Sequence, residues 1–230
     1  MTDRPILLNT AMVRAVLAGQ KTQTRQPIKD GPEWRDGGRW TWTASSTDRK
    51  AEGCFNYSYP DPNGNTYADR GPEKTVFSKR CPMGLAGDRL WVRETWDWRD
   101  WQSGQDGKIR IAYAADGEQV DRIAPPDWNP TIYNAERWRP SIHMPRWACR
   151  LVLPLVSIRV ERVQDISEAD VWAEGITVPL AAEVSGKNWA DIPTLHDAWR
   201  EVWVSIYGQS SWDANHWVWV AEWEEAEVVR

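Results

Sequence analysis

A long run of β-branched and apolar residues between Ala148 and Val163 limits the fold of this chain more than any other feature. Such a run is typical of a long strand. Because proline has no N–H to donate to a neighbouring strand, Pro154 predicts a bulge or an edge position within it. Shorter strand patterns occur at Ile6–Leu8, Lys21–Arg25, Arg89–Glu94, Ile109–Ala114 and His216–Glu224.

The last of these patterns also predicts which side chains share a face of the sheet. Side chains alternate between the two faces of a strand. One face should therefore carry Trp217, Trp219, Ala221 and Trp223, and the other Val218, Val220 and Glu222.

Three short helix patterns accompany the strands. They begin at Thr10, Ser167 and Thr194, which are good capping residues, and end at Gly19, Gly175 and Gly208. Because strands do not alternate regularly with long helices, a doubly wound parallel sheet is not expected. The pattern predicts a mainly β protein with short α-helices, an α+β fold built as a small β-barrel with peripheral helices.

The domain organisation follows from the remaining segments. We expect a single domain over residues 1–230, since the length suits one core. Residues 29–80 are rich in glycine, proline, serine and asparagine, and predict an insertion of hairpins and loops. Residues 97–139 predict long loops around the strand at Ile109–Ala114.

Composition limits the class of protein and of partner. The chain has 41% hydrophobic and 27% charged residues and a net charge of -5, which is typical of a soluble globular protein that does not coat nucleic acid. No apolar run could cross a membrane, and the N-terminus lacks a signal-peptide core, so we expect a cytoplasmic location without a membrane partner. A small ligand or a single nucleotide fits this charge better than a long polyanion.

The three cysteines, Cys54, Cys81 and Cys149, do not form a pair with the short spacing of structural zinc sites. A zinc site that they share with one of His143, His196 or His216 is the alternative. Reduced, partly buried thiols are the favoured interpretation, and we expect no metal or other cofactor.

The segment Gly19–Arg25 places a lysine, two hydroxyls and an arginine directly after a helix. A solvated strand start explains these residues as well as a site does. Lys21 and Thr24 are three positions apart, and because this number is odd, a regular strand would put their side chains on opposite faces. Both can serve one pocket only if Lys21 lies in the turn after Gly19.

Glu174 is the candidate carboxylate, at the end of the short helix that precedes Gly175. A negative charge at a helix C-terminus costs about 0.3–1 kcal/mol, which a nearby cation would offset. The alternative is an exposed glutamate at a frayed helix end.

Four segments, taken in order, resemble an ASCH-domain protein of the tryptophan-rich type found in phages and prophages. They are 17–25 (LAGQKTQTR), 87–96 (GDRLWVRETW), 166–175 (ISEADVWAEG) and 215–220 (NHWVWV). The resemblance covers roughly residues 5–28, 82–96 and 140–224. It implies a barrel similar to the PUA fold, which is associated with RNA binding.

The resemblance to small bacterial amidohydrolases that act on N(4)-acetylcytidine implies a reaction. Their lysine and threonine match Lys21 and Thr24 at the same spacing, and their glutamate matches Glu174 by position. The implied mechanism is amide hydrolysis, in which Thr24 attacks, Lys21 acts as base and Glu174 assists proton transfer. The expected partner is a modified nucleoside, a nucleotide or RNA. A non-catalytic module that binds RNA or a modified base, or a phage accessory protein, remains open.

Further polar residues are candidates for substrate binding. An arginine can bind a phosphate through two hydrogen bonds or stack on a base. These candidates are Thr22, Arg25, Arg93, Glu94 and Arg146. In a regular strand Arg93 and Glu94 face opposite sides, and a purely structural loop around Arg146 is the alternative there.

Overall fold

The computed structural model describes residues 2–29, 38–43, 54–60, 73–101, 108–128 and 137–229. These residues form a mixed α+β structure in which strands predominate and the helices are short. Within them, no helix is both long enough and apolar enough to span a membrane.

The secondary structure follows the chain in this order. The strands are β1 (Asp3–Leu7), β2 (Gln23–Pro27), β3 (Arg39–Thr43), β4 (Cys54–Pro60), β5 (Glu73–Lys79), β6 (Arg89–Arg93), β7 (Trp96–Trp101), β8 (Lys108–Tyr113), β9 (Gln119–Ile123), β10 (Leu151–Arg162), β11 (Trp217–Trp223) and β12 (Glu227–Val228). The α-helices are α1 (Thr10–Leu17), α2 (Glu168–Ala173), α3 (Val178–Ser185), α4 (Leu195–Tyr207) and α5 (Gln209–Asp213). Short 3₁₀ helices cover Ser141–His143, Arg146–Ala148, Val163–Asp165 and Trp189–Asp191.

The largest sheet has six strands in the order β1-β6-β10-β11-β2, with β12 beside β10. The pair of β1 and β6 is parallel, and the other pairs are antiparallel. The predicted long strand is confirmed as β10, which has neighbours along both edges. Pro154 lies opposite Arg89, and the register with β11 shifts between Leu155 and Ser157, so the predicted bulge is also confirmed.

The alternation predicted for the last strand is confirmed by the two cores that β11 separates. Trp219, Ala221 and Trp223 pack in one core, which also contains the buried residues of β1, β6 and α1. Val218 and Val220 pack in the other, against α2, α3 and α4. This strand therefore holds the helices on one face of the sheet and the first core on the other.

The three helix patterns of the sequence are present, with one corrected cap. The side chain of Asn9, and not of Thr10, accepts the hydrogen bond that caps α1. Ser167 caps α2 and Thr194 caps α4, as the sequence predicts.

The remaining strands form two antiparallel three-stranded sheets, β3-β4-β5 and β7-β8-β9. The first lies in the segment expected to hold hairpins and loops; residues 30–37, 44–53 and 61–72 of that segment lie outside the described residues. The second lies where only one strand and long loops were expected. Strand β9 is polar and largely exposed, and Ile123 at its end is 72% exposed, so it lacks the apolar alternation that identifies a strand.

The six-stranded sheet begins with β1 and ends with β2, and within the described residues each has one sheet neighbour. Leu8, directly after β1, donates its N–H to β6, and Ile28, directly after β2, donates its N–H to β11. Because main-chain groups alternate in direction along a strand, the odd-numbered residues of both strands point their peptide groups away from the sheet. Two of these outward positions are Pro5 and Pro27, which have no N–H to offer a further strand.

Candidate functional site

Lys21 lies in the turn between α1 and β2, the position that the sequence required for it to act with Thr24. Its side chain is buried, at 1% exposure. Nζ donates to the main-chain carbonyls of Gln23 at 2.7 Å and Glu174 at 2.9 Å, and to Oε2 of Glu174 at 2.8 Å. These three bonds use all three protons of the ammonium group.

Glu174 is the C-terminal cap of α2 and is 4% exposed, so it is not a glutamate at a frayed, solvated helix end. While Oε2 accepts from Lys21, Oε1 accepts from Nη1 of Arg25 at 2.9 Å. These two cations offset the unfavourable position of a carboxylate at a helix C-terminus. Gly175, with a φ of +75°, follows directly, and a Cβ there would lie 3.0 Å from the Cβ of Lys21.

Arg25 extends the pair into a buried cluster. Its Nε donates to Oε1 of Glu161 at 2.7 Å, and its Nη2 is in ion-pair contact with Glu161 and Asp170 without a hydrogen bond to either. The side chain of Gln23 connects Asp170 to Arg25, since it donates to the first and accepts from the second. The alternative of a solvated strand start therefore does not hold for these residues.

The cluster continues to Arg159, which contacts Glu161, Asp170 and Glu222. Four carboxylates thus face three cations, and the cluster has a net negative charge. Burial alone would raise the pKa of Asp170. Hydrogen bonds from Gln23 and Ser167 and the charge of Arg25 outweigh burial and hold this pKa below its ordinary value.

A cavity of about 250 Å³ opens beside this cluster. Thr24, Arg25 and Gln26 of β2 line one side, and Ile6, Leu7, Leu8 and Asn9 of the β1 end line another, with Glu174 also at its wall. The hydroxyl of Thr24 forms no hydrogen bond within the described part of the chain, and the residue is 8% exposed. Lys21 does not line this cavity and reaches it only through its contact with Glu174.

Helix α4 supplies an aromatic wall to the same cavity. The wall consists of Trp199, Trp203 and Tyr207. Burial and the negative charge of Glu174 raise the pKa of Tyr207. The sequence predicted this helix but not Tyr207 as a site residue, because a tyrosine one turn after Trp203 is indistinguishable in sequence from a core residue.

The other candidates for substrate binding lie elsewhere. Thr22 is half-buried, and its main chain bonds to Ala173 and Trp223, which ties the site to α2 and β11. Arg93 and Arg146 flank the ring of Trp91 at 5.6 Å and 5.7 Å and are not among the residues that line the cavity of Thr24.

Glu94 belongs to a separate buried ion-pair group. Both of its oxygens accept from Arg150 at 2.9 Å, and Arg150 also contacts Asp116 at 2.7 Å and Glu118 at 2.6 Å. Burial raises the pKa of Glu94, although its hydrogen bonds to Arg150 act in the opposite direction. Glu94 therefore links β6 to the start of β10 and is not part of the cavity wall.

The three cysteines are buried thiols, and no disulfide joins any of them within the described residues. Burial raises the pKa of the Cys81 thiol to about 11 and also raises the pKa of Cys149. Among the residues that the structure describes, no group of three histidine, cysteine or acidic side chains is placed to hold a metal ion.

The site thus combines a threonine hydroxyl that has no hydrogen bond to any described residue, a buried carboxylate held by two cations, and an aromatic wall. No family model, curated protein or solved structure matches this chain. The functional conclusion therefore depends on these contacts.

Proposed function

We propose that this chain is an ASCH-type amidohydrolase that removes the acyl group from an N-acylated cytosine nucleoside, nucleotide or nucleic acid. The observation that carries the proposal is that Thr24 and Glu174 line one cavity while Lys21 lies 2.8 Å from Glu174. The amine and the hydroxyl come from one segment, Lys21 to Thr24, whereas the carboxylate lies 153 positions after Lys21. Their convergence is what amide hydrolysis by an activated nucleophile requires.

The proposal includes a barrel of the ASCH kind. The six-stranded sheet would curve so that its two ends, β1 and β2, approach each other at the cavity. The support is that both strands line the same cavity although they lie at opposite ends of the strand order.

The first half of the reaction needs a neutral amine. Lys21 gives a proton to Oε2 of Glu174, and Nζ then exchanges its bond to the Gln23 carbonyl for one to the Thr24 hydroxyl. Nζ accepts the proton of Thr24 as Oγ1 forms a bond to the acyl carbon, and the carbonyl electron pair moves to the oxygen. When this pair returns, the C–N bond breaks and the exocyclic nitrogen takes the proton of Glu174. The products are the free amine of cytosine and an ester on Thr24.

The second half restores the site. Glu174 accepts a proton from water as the hydroxide adds to the ester carbon. The tetrahedral intermediate expels Oγ1, which regains its proton from the ammonium of Lys21 as the carboxylic acid leaves. The proton on Glu174 then returns to Lys21, so each proton has a stated donor and acceptor.

The size and charge of the site favour a single base. A volume of about 250 Å³ lies below the usual range for drug-sized ligands, so one ring with a short acyl group fits better than a stacked oligonucleotide. The net negative charge of the adjoining cluster disfavours a phosphate next to Glu174 and favours a neutral base. Within the aromatic wall of α4, the half-buried ring of Tyr207 is the surface against which such a base can pack, since Trp199 and Trp203 are buried.

A non-catalytic module that binds a modified base is the second candidate. The observation that favours it is that all three protons of Lys21 are donated to protein oxygens. A lysine held in this way stabilises Glu174 without acting as a base.

Hydrolysis of N(4)-acetylcytidine, followed by the loss of its ultraviolet absorbance, separates the two candidates. The amidohydrolase proposal expects turnover by the natural chain and a loss of about 100-fold or more in Thr24→Val and Glu174→Gln. Thr95→Val is the matched control, because Thr95 is half-buried and lies outside the cavity wall. Turnover that survives in both variants would overturn the assigned roles. Tight binding of acylated cytidines without any turnover would establish the binding module instead.

A further inference from the structure

The acyl oxygen of the substrate needs a hydrogen-bond donor that the assigned residues do not supply. Attack by Thr24 places a negative charge on this oxygen, and stabilising that charge is often the largest contribution to catalysis. The ammonium of Lys21 donates to Gln23 and Glu174, and the guanidinium of Arg25 is held among carboxylates. The three protons of Lys21 are thus already donated, and Nη2 of Arg25, although it makes no hydrogen bond, is buried against Glu161 and Asp170.

Tyr207 can supply this donor through its hydroxyl. It lines the cavity together with Thr24 and Glu174, and its hydroxyl has no hydrogen-bond partner among the described residues. The contrast with Tyr113 is direct, since the hydroxyl of that buried tyrosine donates to the carbonyl of Ala148 at 2.8 Å. A half-buried phenol without a partner at the wall of a cavity is available to a ligand.

The ring of Tyr207 is also held in place. It packs on Trp203, one turn earlier on α4, with 4.4 Å between the ring centroids. Trp203 is 1% exposed, and its Nε1 donates to Oγ of Ser211, so this support is itself fixed. The ring of Tyr207, at the last position of α4, is therefore supported by a buried neighbour.

The surroundings keep this hydroxyl protonated. Burial and the negative charge of Glu174 raise the pKa of Tyr207 above its ordinary value of 10.0. At neutral pH the group is a donor and not a competing anion.

We infer that Tyr207 is a further catalytic residue, whose hydroxyl donates a hydrogen bond to the acyl carbonyl oxygen of the substrate and holds the oxyanion that forms when Thr24 attacks. This inference rests on the proposed amidohydrolase function. The proton stays on Tyr207 throughout, because the electron pair on the substrate oxygen returns to the carbonyl when the amine leaves.

The test compares Tyr207→Phe with Tyr113→Phe, the same substitution at a buried tyrosine outside the cavity. Tyr207→Phe is expected to lower kcat for N(4)-acetylcytidine about 100-fold, which is the usual cost of one oxyanion donor, and to leave the Tm unchanged. Tyr113→Phe loses a structural hydrogen bond, so its Tm should fall while its kcat stays within about twofold of the natural chain. An unchanged kcat in Tyr207→Phe would overturn the inference and leave the amidohydrolase proposal standing.

A binding measurement separates failure of the inference from failure of the proposed function. If the natural chain hydrolyses no acylated cytidine, the proposed function fails, and the Kd values of cytidine and N(4)-acetylcytidine decide the role of Tyr207. A preference for the acetylated ligand that disappears in Tyr207→Phe supports the hydrogen bond to the acyl oxygen. A preference that is absent, or that persists in Tyr207→Phe, overturns it.

Discussion

Nζ of Lys21 lies 2.8 Å from Oε2 of Glu174, and neither side chain has more than 4% of its surface exposed. The contact joins the turn after α1 to the end of α2, across 153 positions of the chain. It also places the ammonium beside the peptide bond that connects Gln23 to Thr24. The pair is therefore both a support of the fold and the centre of the candidate site.

Removing one member of this pair should lower the free energy of unfolding by more than the intact pair contributes to it. Lys21→Met leaves Glu174 buried with Arg25 as its remaining partner, so we expect a loss of about 3 kcal/mol in the free energy of unfolding. Glu174→Gln should also destabilise the protein, because the substitution leaves the ammonium of Lys21 without a countercharge. Urea denaturation of both single variants and the double variant measures the coupling. We expect the double variant to lose less than the sum of the single losses; strictly additive losses would contradict a direct interaction.

Gly175 should tolerate alanine less well than Gly186, although both have positive φ. At Gly186 a Cβ meets no atom within 4 Å, so Gly186→Ala should cost only the backbone strain of about 1–2 kcal/mol. At Gly175 the Cβ would lie 2.9 Å from the Cβ of Ala15 and 3.0 Å from the Cβ of Lys21. Gly175→Ala should therefore destabilise the protein further and displace Lys21. Equal values of Tm for the two variants would contradict this account.

The stability of the protein should depend on Asp170 at acid pH. The pKa of Asp170 in the folded protein lies below the ordinary value of 3.8, so the unfolded chain binds more protons in this range. The stabilisation is present above pH 3.8 and is lost as the pH falls through the lowered pKa. Asp170→Asn should therefore flatten the acid limb of a plot of unfolding free energy against pH. An acid limb of unchanged slope would show that other carboxyl groups determine it.

The ion pairs of Arg150 and Arg110 should differ strongly in their contribution to stability. Arg150→Met would leave Glu94, 1% exposed, without its partner, and we expect a loss of about 3–5 kcal/mol. Arg110→Met removes an exposed pair with Asp121, which water and salt screen, so the expected loss in the free energy of unfolding is much smaller. Denaturant unfolding of both variants measures the difference. A small effect of Arg150→Met would mean that water reaches Glu94 in the folded state.

The cysteines should be unreactive until the protein unfolds. Burial raises the pKa of Cys81 to about 11, so very little thiolate is present at pH 8, and Cys54 and Cys149 are buried as well. A thiol reagent should react with none of the three in the folded protein and with all three in urea. Fast reaction of one thiol without denaturant would show that its segment opens readily.

Patterns with a short period could be predicted from the sequence, and contacts between distant residues could not. The two faces of β11 follow from alternation within seven residues. The partners of Arg25, by contrast, lie 136 and 149 positions away at Glu161 and Glu174, and no local pattern specifies them. The resemblance indicated Glu174, whereas Tyr207 was missed because only the packing of α4 brings it to the cavity.

Residues of β1 and β2, the first and last strands in the order of the six-stranded sheet, line the cavity. Leu7 of β1 and Arg25 of β2 both line the cavity, and their peptide groups point away from the sheet. Pro5 and Pro27 have no N–H, which limits the pairing of these strands with another chain. A bound molecule that touches both strands would bridge the first and last members of the hydrogen-bonded order. Its binding energy would add to the energy that keeps the N-terminal strand in place, so occupancy of the site and cohesion of the whole sheet are thermodynamically linked.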